Sequence, residues 1–199
     1  DRSEEQILSY NQLSQLAYKA ANFLHQKGIQ KGDRIAFLLE NTPDILVLEL
    51  AAGLLGASSV PLDIKRDTEE RKQFKIKDAD VKMVFDSSSH LAALVERQSA
   101  IPVFDLKDSC ENEYVLLYTS GTTANPKGVP LTLRACFANA EGIAKWQNFS
   151  ASDRFLIVLP LHHVNSTIMS LAQIVTGGTI ILSSRYSTSK FWEAVSKHR

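Results

Sequence analysis

Leu13, Leu16, Ala17, Ala20, Ala21 and Leu24 recur at helical spacing, and Gly28 follows where such a helix would stop. KGDRIAFLLE then predicts a turn leading into a strand. Asn41 is placed to cap a second helix, with Pro43 in its first turn, running to about Gly56. SVPLD predicts a short strand, TEERKQFKIKDAD an amphipathic helix, VKMVFD a strand and HLAALVERQ a helix. IPVFDL and YVLLYT are expected to be strands, and a helix is expected from about Thr132 to Lys145. Strand RFLIVLP leads through LHHVNS to an apolar helix ending at Gly177-Gly178; strand TIILSS and a last helix follow.

Strands alternate with helices throughout, and several strands are almost wholly apolar. That pattern predicts an α/β fold with a mainly parallel sheet and helices on both faces. No internal repeat, low-complexity tract or linker interrupts residues 1–199, which read as one compact unit.

Charge and composition narrow the function classes. The 22 basic and 22 acidic side chains cancel, so no strong field favours nucleic acid or an anionic membrane. No apolar run reaches the roughly 18 residues of a membrane helix. Cys110 and Cys136 have no metal-binding or redox spacing and are expected to be buried or semi-buried free thiols in a reducing compartment, the cytoplasm. The triplets Asn148-Phe149-Ser150 and Asn165-Ser166-Thr167 read as chance matches to a glycosylation signal. The chain opens on DRSEEQ without Met and stops on AVSKHR inside a predicted helix, as an excised piece would.

One stretch concentrates chemistry. YTSGTTANPKGV follows an apolar strand and packs hydroxyls, glycines and a lysine together. Gly121 lets the backbone turn tightly and expose N–H groups. Thr119, Ser120, Thr122 and Thr123 add hydroxyl donors, and Lys127 adds a positive charge. A polyphosphate, anionic and rich in oxygen, suits such donors; a solvated turn in which Ser and Thr bond their own backbone is the alternative. The stretch is not G-x-x-x-x-G-K-[ST], because Lys127 precedes Gly128 and no hydroxyl follows the lysine.

LLYTSGTTANPKGV resembles the phosphate loop of the adenylate-forming superfamily, which comprises acyl- and aryl-CoA synthetases, peptide-synthetase adenylation domains and luciferases. The family pattern is Y-T-S-G-[ST]-T-G-x-P-K-G-V, and this chain departs from it at Ala124, where glycine is usual. If that glycine adopts positive φ, alanine costs about 1 kcal/mol there. LLGASSVPLD, KGDRIAFLLENTPD, VLPLHHVNS and GGTIILSSRYSTSKFWEAV resemble further segments of the family, in the right order across nearly all 199 residues.

Adjacent His162 and His163 in PLHHVNS invite a metal reading, but neighbours on an extended stretch point apart and chelate poorly. A histidine bonded to loop backbone is a structural alternative. By resemblance, His163 matches the family histidine near the acyl pocket, while His162 stands where an aromatic is common. PLHHVNS leans toward acyl- or aryl-CoA synthetases over amino-acid-activating domains.

The resemblance implies the following expectations. Residues 1–199 are the first part of an N-terminal AMP-binding domain, lacking the family's later adenine, magnesium, ribose and catalytic-lysine motifs. Lys127 and His163 take part in catalysis, while Thr119, Ser120, Gly121, Thr122 and Thr123 hold nucleotide phosphates with Lys127. ATP with Mg2+ activates a carboxylic acid, and coenzyme A or a carrier-protein thiol accepts it. An amino-acid adenylation domain and a non-catalytic binding or scaffold relative remain open.

Overall fold

The computed structural model describes residues 6–104, 110–119, 126–184 and 187–198. Helix α1 (Tyr10–Gln26) starts at a capping box: the Ser9 side chain accepts from the Gln12 amide, and the Gln12 side chain accepts from the Ser9 amide. Gly28, at φ +81, then turns the chain in a region that other residues avoid. Strand β1 (Arg34–Leu38) leads to α2 (Pro43–Leu54), β2 (Ser58–Pro61), α3 (Glu69–Asp78), β3 (Val81–Asp86) and α4 (Leu91–Val95). The hairpin β4 (Glu113–Tyr118) and β5 (Gly128–Thr132) precedes α5 (Leu133–Trp146). Strand β6 (Arg154–Ile157), α6 (Val164–Thr176), β7 (Thr179–Leu182) and α7 (Thr188–Lys197) follow.

The main sheet has the order β3-β1-β2-β4-β5. Its β1–β2, β1–β3 and β2–β4 pairs are parallel, and only β4–β5 is antiparallel. Alternate residues serve opposite faces. Ile35 and Phe37 join α1 and α2 in one core, whereas Ala36, Val60 and Leu116 pack on the other face with Ile76 of α3. Val115 and Leu117 pack against α5 and α6. Burying each Leu, Ile or Phe of these layers contributes about 1.5–3 kcal/mol. At the edge of these layers, Arg34 grips Glu113 with two charge-assisted bonds of 2.7 and 2.8 Å, tying β1 to β4.

The strands β6 and β7 form a separate parallel pair whose Ile157, Phe155, Ile180 and Leu182 pack against the α1–α2 layer. Three expectations need correction. Residues 101–104 of the predicted strand IPVFDL form no strand, and Ile101 and Val103 are exposed; 105–109 lie outside the described residues. Asn41 does not cap α2. Thr42 occupies that position without a side-chain bond, and the Asn41 side chain reaches across the molecule instead. Cys110 sits in a turn and is exposed, while Cys136 is buried as expected.

Several polar groups enter the apolar interior, and one of them is a carboxyl. Glu49 of α2 is 2 % exposed, and its Oε1 has no hydrogen-bond partner. Burial pushes its pKa up to about 8, so it holds a proton at neutral pH. Among the described residues, no helix is long and apolar enough to cross a membrane.

Candidate active site

The hydroxyl-rich stretch joins β4 to β5, and register fixes its mouth. Tyr118 pairs with Gly128, and the Thr119 amide donates to the Lys127 carbonyl at 3.0 Å. Pro126 is buried, while Thr119 and Lys127 are exposed. Gly128 sits close to Leu116: a Cβ there would lie 3.2 Å from Leu116 Cδ1, and the leucine side chain would have to give way. The expected ligands Ser120, Gly121, Thr122 and Thr123, and the substituted Ala124, lie outside the described residues. The mouth opens at the carboxyl end of β4, which runs parallel to β2. Loops at that end of an α/β sheet are free to bind ligands without disturbing the core.

The histidine segment reaches the same end of the sheet from the smaller layer. It follows β6, and His163 is the N-cap residue of α6, in extended conformation and without a side-chain cap bond. Asn41 seats it: its Oδ1 accepts from the Leu161 amide at 2.9 Å, and its Nδ2 donates to the Leu159 and Ser183 carbonyls at 2.9 and 3.2 Å. The Ser166 and Thr167 hydroxyls donate to the Leu159 and Leu161 carbonyls at 3.1 and 3.0 Å. The segment is therefore fixed from both sides. Between it and the carboxyl ends of β1 and β2 lies a cleft of about 600 Å³, lined by Ile45, Leu62, Asp63, Leu161, His162 and His163 among others.

The two histidines differ. His163 is exposed, whereas His162 is half-buried, with ring centroids 4.6 Å apart. His162 Nε2 lies 3.2 Å from Asp63 Oδ2, close enough for an ion pair but not aimed for a hydrogen bond. Burial lowers the His162 pKa, outweighing the pull of Asp63 upward, so the ring favours the neutral form. For Asp63, burial opposes ionisation. The Arg66 and Lys65 amides, both donating to its Oδ1 at 3.0 Å, together with His162 and Arg66, outweigh that and hold its pKa below the ordinary carboxylate value. A fixed anion beside a neutral, hydrogen-bond-poor imidazole can orient or accept a proton from a group entering the cleft.

Sequence reasoning placed Lys127 and Thr119 at the loop and His163 at the cleft, and all three stand at the same end of the sheet. It gave Asp63 no role. The only sequence signal was the carboxylate of PLD, and its partner lies 99 positions along the chain. Among the described residues, no group of three or more His, Cys, Asp or Glu side chains gathers as a metal site.

Known proteins resemble this chain in sequence and fold. Residues 2–199 match the AMP-binding enzyme family. The chain is 29% identical over 208 residues to the 2-succinylbenzoate–CoA ligase of Bacillus subtilis, covering 98% of this chain and 43% of that protein. It is 29% identical over 208 residues to a feruloyl-CoA synthase of Amycolatopsis, covering 96% and 42%. The inhibitor-bound N-terminal domain of FACL13 from Mycobacterium tuberculosis superposes with a TM-score of 0.88 at 25% identity, over 96% of this chain and 54% of that one. The Bacillus subtilis o-succinylbenzoate coenzyme A synthetase in complex with AMP gives a TM-score of 0.87 at 25% identity, over 98% and 54%. The chain thus spans about two fifths of the length of these curated relatives. By sequence match and by fold, the chain belongs to the AMP-binding enzyme family, with the architecture of the N-terminal domain of adenylate-forming enzymes.

Proposed function

We propose that the chain is the phosphate-binding part of an AMP-forming acid–thiol ligase, one that activates a carboxylic acid as its acyl-adenylate and passes it to coenzyme A. The observation that carries this reading is the shared placement of two motifs. The mouth of the 119–127 hairpin and the His162–His163 segment open at one end of the sheet. The relatives named as CoA ligases support it.

In the first step, a carboxylate oxygen attacks the α-phosphorus of ATP, and the bond to the bridging oxygen breaks to release pyrophosphate. Lys127, with the hydroxyls and amides of residues 119–123, would offset charge on the departing β- and γ-phosphates. In the second step, a thiolate attacks the acyl carbon and AMP leaves. Mg2+ would neutralise phosphate charge during adenylation, and we assign it to the nucleotide, not to a side chain of this chain. The cleft beside Asp63, His162 and His163 would receive the acid, with its apolar walls taking the carbon skeleton.

The 199 residues alone would present phosphate ligands without orienting the α-phosphate, so on this reading they do not catalyse adenylation. Pyrophosphate–ATP exchange dependent on a carboxylic acid, measured on the complete protein carrying this chain, tests the reading. Exchange stimulated by an aryl or aliphatic acid is expected. Exchange stimulated only by amino acids, or ATP turnover that ignores every acid, would overturn it.

A further inference from the structure

A buried ion pair lies between the two motifs. Lys75 on α3 is 6 % exposed, and its Nζ donates to Asp67 Oδ2. Burying two charges costs desolvation that their attraction barely repays, so stability is a weak reason for such a pair. Its neighbours supply a better one. Lys75 Nζ stands 5.4 Å over the Tyr118 ring, a cation–π contact. The Tyr118 hydroxyl donates to Asp78 Oδ2 at 2.7 Å and faces the Lys75 carbonyl at 3.0 Å. Tyr118 is the last residue of β4, immediately before the Thr119–Lys127 closure.

The other end of the pair leads to the histidines. The Asp67 amide donates to the Asp63 carbonyl at 3.3 Å, and Asp63 is the carboxylate beside His162. Contacts thus link Tyr118, which precedes Thr119 in the chain, through Lys75 and Asp67 to the main chain of Asp63, whose carboxylate stands beside His162. The charged or titratable groups that act on the His162 ring are Asp63, His163, Lys75 and Asp67.

We propose that Lys75 and Asp67 are positioning residues for adenylate formation, bracing the root of the 119–127 loop and the His162 segment in one fixed relation. This rests on the functional reading above. A brace of this kind acts on geometry at the reacting centre, where small misplacements cost rate more than affinity.

Two measurements test it. The first is acid-dependent pyrophosphate exchange by the complete protein. The double variant Asp67→Asn/Lys75→Met removes both charges of the pair. Arg71, whose Nε lies 3.5 Å from Asp67 Oδ1, also loses a partner, but its side chain is 42% exposed and falls back on solvent, so the melting temperature should stay near wild type. Its kcat should fall about tenfold with KM for ATP little changed, and Lys75→Arg, which keeps the charge, should retain most of the rate. The second follows the His162 ring by NMR titration and needs no turnover. Lys75→Met should raise its midpoint and Asp67→Asn lower it, a pair of opposite signs that general loosening would not produce. A folded double variant with wild-type kcat, or single variants that leave the His162 midpoint in place, would overturn the proposal. If the wild-type protein shows no exchange with any acid, the functional reading fails and takes the role in adenylation with it, whereas wild-type exchange left intact in the double variant overturns the brace alone.

Discussion

The loop mouth and the histidine segment meet at one end of the molecule but are built differently. The mouth hangs on an antiparallel edge hairpin, closed by the Thr119–Lys127 bond, with the lysine exposed. The histidine segment is bonded from Asn41, Ser166 and Thr167, and its His162 faces a carboxylate that is itself held by two amides. A group that must follow departing phosphates gains from reach and charge. A group that orients an acid in a cleft gains from rigidity. On the proposed function, that contrast matches a charged group for the phosphates and a hydrogen-bonded seat for the acid.

Breaking the rigid side should cost most in stability. Asn41→Ala removes three hydrogen bonds and leaves the Leu161 amide and two carbonyls to find new partners. A loss of about 3 kcal/mol is expected, at roughly 1 kcal/mol per bond, read as a lower denaturant midpoint. A change below about 0.5 kcal/mol would mean that the segment is seated by packing alone.

Glu49 sharpens the comparison between carboxylates. Asp63 is held ionised at the cleft, whereas Glu49 is held protonated behind β4 near Tyr114, whose pKa is raised by burial and further by Glu49. Because folding raises the Glu49 pKa from the ordinary 4.5 to about 8, the folded state binds the extra proton between those values. Its contribution to stability is complete below pH 4.5 and is lost as pH rises through 8. Glu49→Gln should therefore gain on the wild type by about 2 kcal/mol between pH 6 and 7.5. Parallel stability curves for the two proteins would show that Glu49 ionises freely.

Smaller effects test the edges. Tyr10 donates to the Gly178 carbonyl at 2.6 Å, fastening α1 to the start of β7. Tyr10→Phe should cost about 1 kcal/mol in urea unfolding, with no change in the His162 titration. Ala124→Gly should leave adenylation unchanged or raise it by less than about fivefold, the equivalent of roughly 1 kcal/mol. A rate loss in that variant would show that alanine suits this loop better than glycine.

Element order and type were legible because period and punctuation agree along the chain: Thr68 and Thr132 cap the helices read from TEERKQFKIKDAD and from the stretch after Thr132. Strand β5 escaped notice because Pro130 interrupts its short run, and proline is tolerated there since β5 is an edge strand. IPVFDL has the apolar content of a strand, yet Ile101 and Val103 are 75% and 60% exposed. Asn41 has local capping chemistry, but its partners lie 118 to 142 positions away. Lys75 looks like a surface charge on an amphipathic helix and Asp67 like one just before it, and only the fold shows both side chains buried, with Lys75 over Tyr118 of β4. Local chemistry was visible in the sequence; partnerships across the chain were not.

The central claim is that the 119–127 loop serves phosphate departure and the cleft serves the acid. Lys127→Ala in the complete protein tests it when the two half-reactions are measured separately. Adenylate formation should slow by roughly ten- to a hundredfold, the loss of one charge-assisted contact worth about 1.5–3 kcal/mol. Thioester formation from supplied acyl-adenylate should stay near the wild-type rate, because no pyrophosphate leaves in that step. A variant that adenylates normally, or one slowed only in thiol transfer, would contradict the account.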